Sequence, residues 1–250
     1  MKTKVWAHRG ASAYAPENTL EAFRLAAMQK ADGVELDVQL SKDGEIVVVH
    51  DETVNRVSDG FGYVKDYTLE ELKALHFNKT HPEYDEARIP TLREVYTLLK
   101  PTNLTVNVEL KTGIVPYPGI EEKVLRLTEE MGMEDRVIYS SFCHPSLVIL
   151  KQLKSSVKTG LLYSDGWIGV AGYGRETVRV NALHPALYHM QDGELVPEAR
   201  KNGLELHVWT VNEEKDMRAL AEGGIEAIIT NKPDICRKVV DGVYDQTCSR

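Results

Sequence analysis

The sequence predicts an α/β fold, a single-domain (β/α)8 TIM barrel over residues 1–250 with a β-hairpin arm after the second strand. Three observations carry that reading. Apolar, β-branched runs alternate with amphipathic helical patterns along the whole chain, as in a parallel sheet joined by helical crossovers. Of nine such runs, Ile46–His50 is joined to its predecessor through Ser41-Lys42-Asp43-Gly44-Glu45, too short a connection for a crossover between parallel strands. Setting that arm aside leaves eight strands in 250 residues, about the usual size of such a barrel.

The first run, Val5–His8, leads into Arg9-Gly10. A helix over Thr19–Lys30 follows, with Leu20, Phe23 and Ala27 on one face and Asn18 with Glu21 as a capping-box-like start. Val34–Val38 is the second strand, and Ser41-Lys42-Asp43-Gly44-Glu45 joins it to Ile46–His50. Asp-Gly is a strong hairpin signal because a type I′ turn needs positive φ at both central residues. A two-residue Asp43-Gly44 loop sets Lys42 against Glu45 and His50 directly across from Asp37. Helical patterns at Leu69–Leu75 and Leu92–Lys100 precede the strand Val106–Lys111, and Ile120–Met131 leads to the strand Val137–Phe142. Ser146–Lys154 is a helix, and Gly160–Tyr163 and Ala182–Pro185 are strands. Between those two strands, the glycine-rich stretch around Trp167 reads as a mobile loop near the rim. The helix Leu195–Asn202, strand Leu206–Val211, helix Glu213–Glu222, strand Ala227–Thr230 and helix Asp234–Val240 complete the alternation.

With 42% apolar and 27% charged residues, the composition excludes disorder, a collagen-like repeat and a disulfide mini-scaffold. No apolar run approaches the roughly 18 residues of a membrane span, and Met1–Arg9 does not read as a signal peptide. A net charge of −8 argues against nucleic acid as a partner. Cys143, Cys236 and Cys248 are widely spaced and form no CxxC pair, so they read as reduced thiols of a cytoplasmic protein.

The chemistry gathers at strand ends. Glu35 and Asp37 are two apart on a strand and share a face. Glu109 and Lys111 repeat that spacing on the third barrel strand. Three carboxylates at neighbouring strand ends make an oxygen-rich site that suits Mg²⁺ or Ca²⁺ better than zinc. Taken alone, such acidic pairs are usually solvated, and a lone strand histidine such as His8 is usually structural. Position changes the weighing. His8, Glu35, Asp37, Glu109, Lys111, Trp209 and Asn231 all fall at or near the C-terminal ends of their strands, the rim that carries catalytic groups in this fold. Arg9 and Lys111 add positive charge suited to phosphate oxygens. His76, His81, His144 and His189 fall in loops or helix ends and are expected to be solvated, whereas His184 borders the pocket in one reading.

Taken together, these residues resemble the glycerophosphodiester phosphodiesterase family. The matching motifs are His8-Arg9-Gly10, Pro16-Glu17-Asn18-Thr19, Glu35-Leu36-Asp37-Val38, Ser41-Lys42-Asp43-Gly44, His50-Asp51, Arg56 and Gly60. Ile89-Pro90-Thr91-Leu92, Glu109-Leu110-Lys111, Ser141-Phe142, Trp209-Thr210-Val211-Asn212 and Thr230-Asn231 follow in family order. The resemblance implies a TIM barrel that hydrolyses glycerophosphodiesters, small-molecule substrates, to glycerol 3-phosphate and an alcohol. It implies a divalent cation on Glu35, Asp37 and Glu109, an acid–base pair in His8 and His50, and Arg9, Lys111 and Trp209 against the substrate. One position departs from the pattern: the family usually carries an acidic residue where this chain has Asn231. Two other readings compete. A phospholipase-type enzyme that stops at a cyclic product is disfavoured by the acidic charge and the lack of an evident apolar or basic membrane patch. A non-catalytic barrel is disfavoured because His8, His50, Glu35, Asp37 and Glu109 are all present.

Overall fold

The structure is a computed structural model that describes residues 2–191 and 193–248. Nine strands form one sheet: β1 (Lys4–His8), β2 (Gly33–Leu40), β3 (Ile46–Val48), β4 (Thr105–Leu110), β5 (Val137–Ser141), β6 (Lys158–Tyr163), β7 (Ala182–Pro185), β8 (Glu205–Val208) and β9 (Ala227–Thr230). All but β3 are parallel, and the β1–β2 pairing closes them into the expected eight-stranded barrel. Around it run α1 (Leu20–Met28), α2 (Leu69–Ala74), α3 (Leu92–Leu99), α4 (Ile120–Glu130), α5 (His144–Leu153), α6 (Val170–Gly172), α7 (Leu195–Lys201), α8 (Glu214–Glu222) and α9 (Pro233–Cys248). No described helix is long and apolar enough to cross a membrane.

The period-2 alternation of a strand divides labour across the sheet. On β2, Val34, Leu36, Val38 and Leu40 join the main core between strands and helices. Glu35, Asp37 and Gln39 point the other way, into the barrel. Inside, Trp6, Ile138, Ala182, Ala227 and Ile229 fill the middle, leaving the polar groups above them at the C-terminal rim. The long excursion between β3 and α3 carries its own small core, including Val54, Val57, Val64, Leu72 and Phe77.

The arm is antiparallel to β2, as the short connection requires, but its register is one residue off the expected one. Val38 pairs with Val48 and Leu40 with Ile46. The loop therefore closes on Ser41 and Glu45, with Ser41 N–H donating to the Glu45 carbonyl at 3.0 Å. Gly44, at φ +83°, donates to the Ser41 carbonyl at 2.9 Å. Only Gly44 holds positive φ here, which suits a three-residue loop of type I turn plus left-handed glycine rather than a two-residue type I′ loop. The side chain of Ser41 decides this, because its Oγ accepts from Glu45 N–H and donates to Asp43 Oδ1.

Two further expectations are corrected. Thr19, not Asn18, caps α1, accepting from Ala22 N–H. The segment around Trp167 is not simply a loop: from Val170 it is helical, with α6 running on into a π-helical turn over Tyr173–Val178.

Candidate active site

The first strand ends in a sharp turn: Arg9 has φ +55° and Gly10 φ +83°. A Cβ on Gly10 would lie 2.6 Å from that of Ala22, so only glycine lets this turn pack on α1. The turn aims Arg9 N–H at Glu35 Oε2, 2.9 Å away. Glu35, Asp37 and Glu109 are all buried, and one oxygen of each lies within 4.8 Å of the others. Glu109 sits opposite Asp37 in the β2–β4 register, which is why two strands suffice to build the cluster.

Two cations face these three carboxylates. Arg9 Nε lies 3.4 Å from Asp37 Oδ2, and Lys111 Nζ lies 2.9 Å from Glu109 Oε1 and 3.8 Å from Asp37 Oδ1. The balance leaves one negative charge uncompensated, and it is distributed unevenly. Burial would raise Asp37, but Arg9, His50 and Lys111 outweigh it and hold the carboxyl at about 2. Glu35 is raised well above the usual range by burial and by the charges of Asp37 and Glu109. Glu109 is also raised, again chiefly by burial. Asp37 Oδ1 accepts no hydrogen bond among the described residues. Buried, oxygen-only and short of positive charge, the cluster fits a hard divalent cation.

The two histidines stand at the same cavity, of about 250 Å³, which is also lined by Arg9, Glu35, Glu109 and Trp209. Phe142 and Leu162 supply an apolar wall. The Phe142 and Trp209 rings meet edge to face at 5.6 Å. His8 Nδ1 is 2.7 Å from Asn231 Oδ1, which can only accept, so Nδ1 carries the proton and Nε2 is left as an acceptor, 3.9 Å from Glu35 Oε2. Burial, with Arg9 close by, lowers His8 to about 4. His50 has the opposite surroundings. Its Nδ1 is 2.6 Å from Asp51 Oδ1, a carboxylate that burial would raise but that bonds from Arg56 and His50 hold at about 2.

His50 does not reach the cavity as a ladder residue. β3 ends at Val48, and it is Val49 whose N–H bonds the Asp37 carbonyl, at 3.0 Å. Beyond Val48 the chain leaves the sheet and is gathered by Gln39. Its Nε2 lies 3.1 Å from the carbonyls of Val49 and His50 and 2.7 Å from that of Asp51. Tyr117 O–H donates to Gln39 Oε1 at 2.8 Å and fixes the amide's orientation.

Several residues at the site had no role assigned from sequence. Asn18, at φ +58°, donates from Nδ2 to Asp37 Oδ2 at 2.8 Å. Glu17 accepts from Arg9 at 2.9 Å and from both terminal nitrogens of Arg56, which also donates twice to Asp51. A continuous ladder thus runs from Arg9 through Glu17, Arg56 and Asp51 to His50. The Pro16-Glu17-Asn18-Thr19 run was the signal, but what it contacts is set by the rim, not by sequence spacing. His184 is fully buried and lines the cavity, as one reading had it. His144 and His189, expected to be solvated, are half-buried: His144 Nε2 bonds the Leu162 carbonyl at 2.8 Å, and His189 packs on Tyr163 at 4.9 Å. The loops after the strands expose Ile114, Trp167, Ile168 and Tyr188, so the rim is more apolar than the sequence suggested.

Comparison with known proteins agrees with this geometry. Residues 8–235 match the sequence model of the glycerophosphoryl diester phosphodiesterase family. A glycerophosphodiester phosphodiesterase of Caldanaerobacter subterraneus is 46% identical over 94% of this chain and 96% of its own. One from Bacillus altitudinis is 39% identical over 95% of this chain and 98% of its own. Among solved structures, an Oleispira antarctica phosphodiesterase in complex with the product sn-glycerol-3-phosphate superposes with a TM-score of 0.85 at 30% identity, covering 96% of this chain and 97% of that one. With the match running from His8 at the end of β1 into the start of α9, the chain belongs to the glycerophosphoryl diester phosphodiesterase family.

Proposed function

We propose that the protein hydrolyses glycerophosphodiesters to glycerol 3-phosphate and an alcohol, with His8 as general base, His50 as general acid, and Glu35, Asp37 and Glu109 as ligands of Mg²⁺ or Ca²⁺. The observation that carries this reading is that two histidines meet at one cavity with different Nδ1 partners, an amide oxygen at His8 and a carboxylate at His50. His8 is held neutral with Nε2 free to take a proton. His50 Nδ1 is 2.6 Å from Oδ1 of Asp51, an ionised carboxylate that Arg56 holds in place. A base and an acid with separated environments are what phosphodiester cleavage needs.

The bound cation would offset the diester's charge and stabilise the additional charge of the transition state. Arg9 and Lys111 are held beside the carboxylate cluster and add fixed positive charge there. His8 Nε2 takes the proton from the attacking hydroxyl, either of water or of the neighbouring glycerol carbon, as its oxygen bonds phosphorus. His50 gives its proton to the departing oxygen as the other P–O bond breaks. Asp51 keeps the imidazolium oriented, and Arg56 keeps Asp51 in place. Trp209 and Phe142 form an aromatic wall against the substrate's carbon skeleton. The free Cys143 and Cys236 support a cytoplasmic location.

The test is release of glycerol 3-phosphate from a panel of diesters, with and without chelator. His8→Ala and His50→Ala should each lower kcat by about 10²–10⁴-fold. A substrate with a good leaving group should rescue His50→Ala alone. If neither variant loses more than a few-fold, or if His8→Ala is the one rescued, the assignment fails.

A further inference from the structure

The barrel interior holds a second set of histidines that the reaction above does not use. His184 lies on β7 and His207 on β8, each one residue beyond the paired Leu183 and Leu206. They are 0% and 2% exposed. His207 Nδ1 is 2.9 Å from His184 Nε2, and His207 Nε2 is 3.0 Å from Glu205 Oε2. Trp6 packs on both rings, with centroids 4.5 Å from His207 and 6.5 Å from His184. The space is made by Gly160, where a Cβ would stand 2.1 Å from His184 Nε2. Glu205 opens β8 at the end of the barrel away from the catalytic groups, and its side chain is 58% exposed. A line of three groups therefore runs from solvent at the barrel's base to the floor of the active-site cavity, where His184 is a lining residue.

The bonds restrict the protons along this line. Glu205 is lowered by its bond from His207, with Lys4 and Lys158 adding to the effect, so it is an ionised acceptor. His207 Nε2 must then carry a proton. Burial and the neighbouring ring push His184 well below the usual imidazole range, so it is neutral. Two assignments remain. In one, both rings are neutral with the proton on Nε2, and His184 Nδ1 is a bare acceptor. In the other, His207 is a buried cation and His184 carries an Nδ1–H. His184 Nδ1 has no partner among the described residues. An orphaned buried donor is rarer and costlier than an orphaned acceptor, and the second assignment also places a charge between two rings. The first assignment avoids both costs.

We infer that His184 is a specificity-determining residue: Glu205, through His207, locks its tautomer so that Nδ1 accepts a hydrogen bond from a hydroxyl of the glycerol moiety. This rests on the proposed substrate class and adds the recognition of its polyol half. A phosphate or ether oxygen, which brings no proton, is not matched by that atom. A polyol is. An alkyl group of the same size would leave Nδ1 buried and unpaired, and a site built this way discriminates against it.

The experiment uses the enzyme supplied with Mg²⁺, with its imidazoles ¹⁵N-labelled. Long-range ¹H–¹⁵N spectra should show His184 and His207 as neutral Nε2–H tautomers. sn-Glycerol 3-phosphate should shift His184 Nδ1, and propyl phosphate, which has the same carbon chain without hydroxyls, should not. Calorimetry should give tighter binding of the glycerol ligand, and His184→Phe should narrow that ratio by about five- to tenfold. Glu205→Gln, exposed at the barrel's base and remote from the reaction, should mix the tautomers and narrow the ratio in the same direction. That second variant keeps the test decisive if His184→Phe does not fold. A protonated His184 Nδ1, or one indifferent to glycerol 3-phosphate in an enzyme that still hydrolyses diesters, overturns the inference alone. An enzyme that neither binds glycerol 3-phosphate nor cleaves diesters overturns it together with the proposed function.

Discussion

Replacing Asn231 by aspartate should raise the pKa of His8 and move the acid limb of the pH–rate profile upward. Asn231 Oδ1 lies 2.7 Å from His8 Nδ1, and the amide supplies a hydrogen bond without charge. A carboxylate there keeps the bond and adds a charge about 4 Å from the centre of the imidazolium. At an effective dielectric of about 20 that attraction is about 4 kcal/mol, or roughly three pKa units. Partial burial of the new carboxylate offsets some of it, so an increase of about one to three units is the expected range. His8 starts at about 4, because burial and Arg9 hold it down. The sign follows directly. The base works as neutral imidazole, and a raised pKa means that this form is lost at a higher pH as acid is added. kcat/KM of Asn231→Asp should therefore fall in mildly acidic buffer, by about tenfold for each unit by which the pH lies below the new pKa. It should approach the wild-type value at alkaline pH. A pH series of kcat/KM, paired with an NMR titration of the His8 ring, measures both quantities. An acid limb that stays in place while the NMR pKa rises would show that His8 is not the base. A ring pKa that does not rise would show that the Asn231 contact does not govern it.

Asp51→Asn should lower kcat by about 10²-fold or more with little change in fold, because His50 loses its oriented anionic partner. A diester with a good leaving group should recover most of that loss in a direct assay. Glu109→Ala should abolish tight Mg²⁺ and Ca²⁺ binding in calorimetric titration, since one of three clustered carboxylates is gone. In the wild type, binding should tighten as pH rises and should release a proton, because Glu35 is raised by burial and its neighbours and must ionise to serve as a ligand. Calorimetry in buffers of different ionisation enthalpy counts that proton. Gln39→Leu should lower kcat while leaving Mg²⁺ affinity unchanged, because it frees the carbonyls that shape the turn at His50 and touches no carboxylate of the cluster.

Most of the barrel was legible in the sequence because its strands and helices bury one face each, and burial writes a period. The carboxylate cluster was legible for the same reason: Glu35 and Asp37 are polar where an inward position would ordinarily be apolar. Asn18 was not legible in this way. Beside Thr19 and ahead of Glu21 it has the chemistry of a helix cap, and local spacing cannot say which of two adjacent capping residues takes that role. The structure gives it to Thr19 and turns Asn18 to Asp37. The ladder from Glu17 through Arg56 to Asp51 was hidden for a related reason. Its members are 39 and 5 residues apart, and only the closed rim brings them together.

The hairpin shows how a sequence argument reached a correct neighbour by an incorrect contact. A one-residue change of register moves every ladder side chain to the opposite face. With Val38 paired to Val48, continued pairing would put Val49 across from Asp37 and send His50 outward on the face of Ile46 and Val48, which belong to the main core. His50 lines the cavity instead, because the strand stops before reaching it. The carbonyls of Val49, His50 and Asp51 would be left without ladder partners at that point, and Gln39 bonds all three. Gln39 is two residues beyond Asp37 and shares its face, so the strand that presents the carboxylates also carries the amide that turns His50 toward them. The placement of His50 at the cavity comes from an inward-facing glutamine in a position where a barrel strand ordinarily carries an apolar side chain. The same logic accounts for Tyr117: the amide's oxygen must be satisfied for its nitrogen to be held toward the turn, and the tyrosine's hydroxyl, 78 residues away, does so.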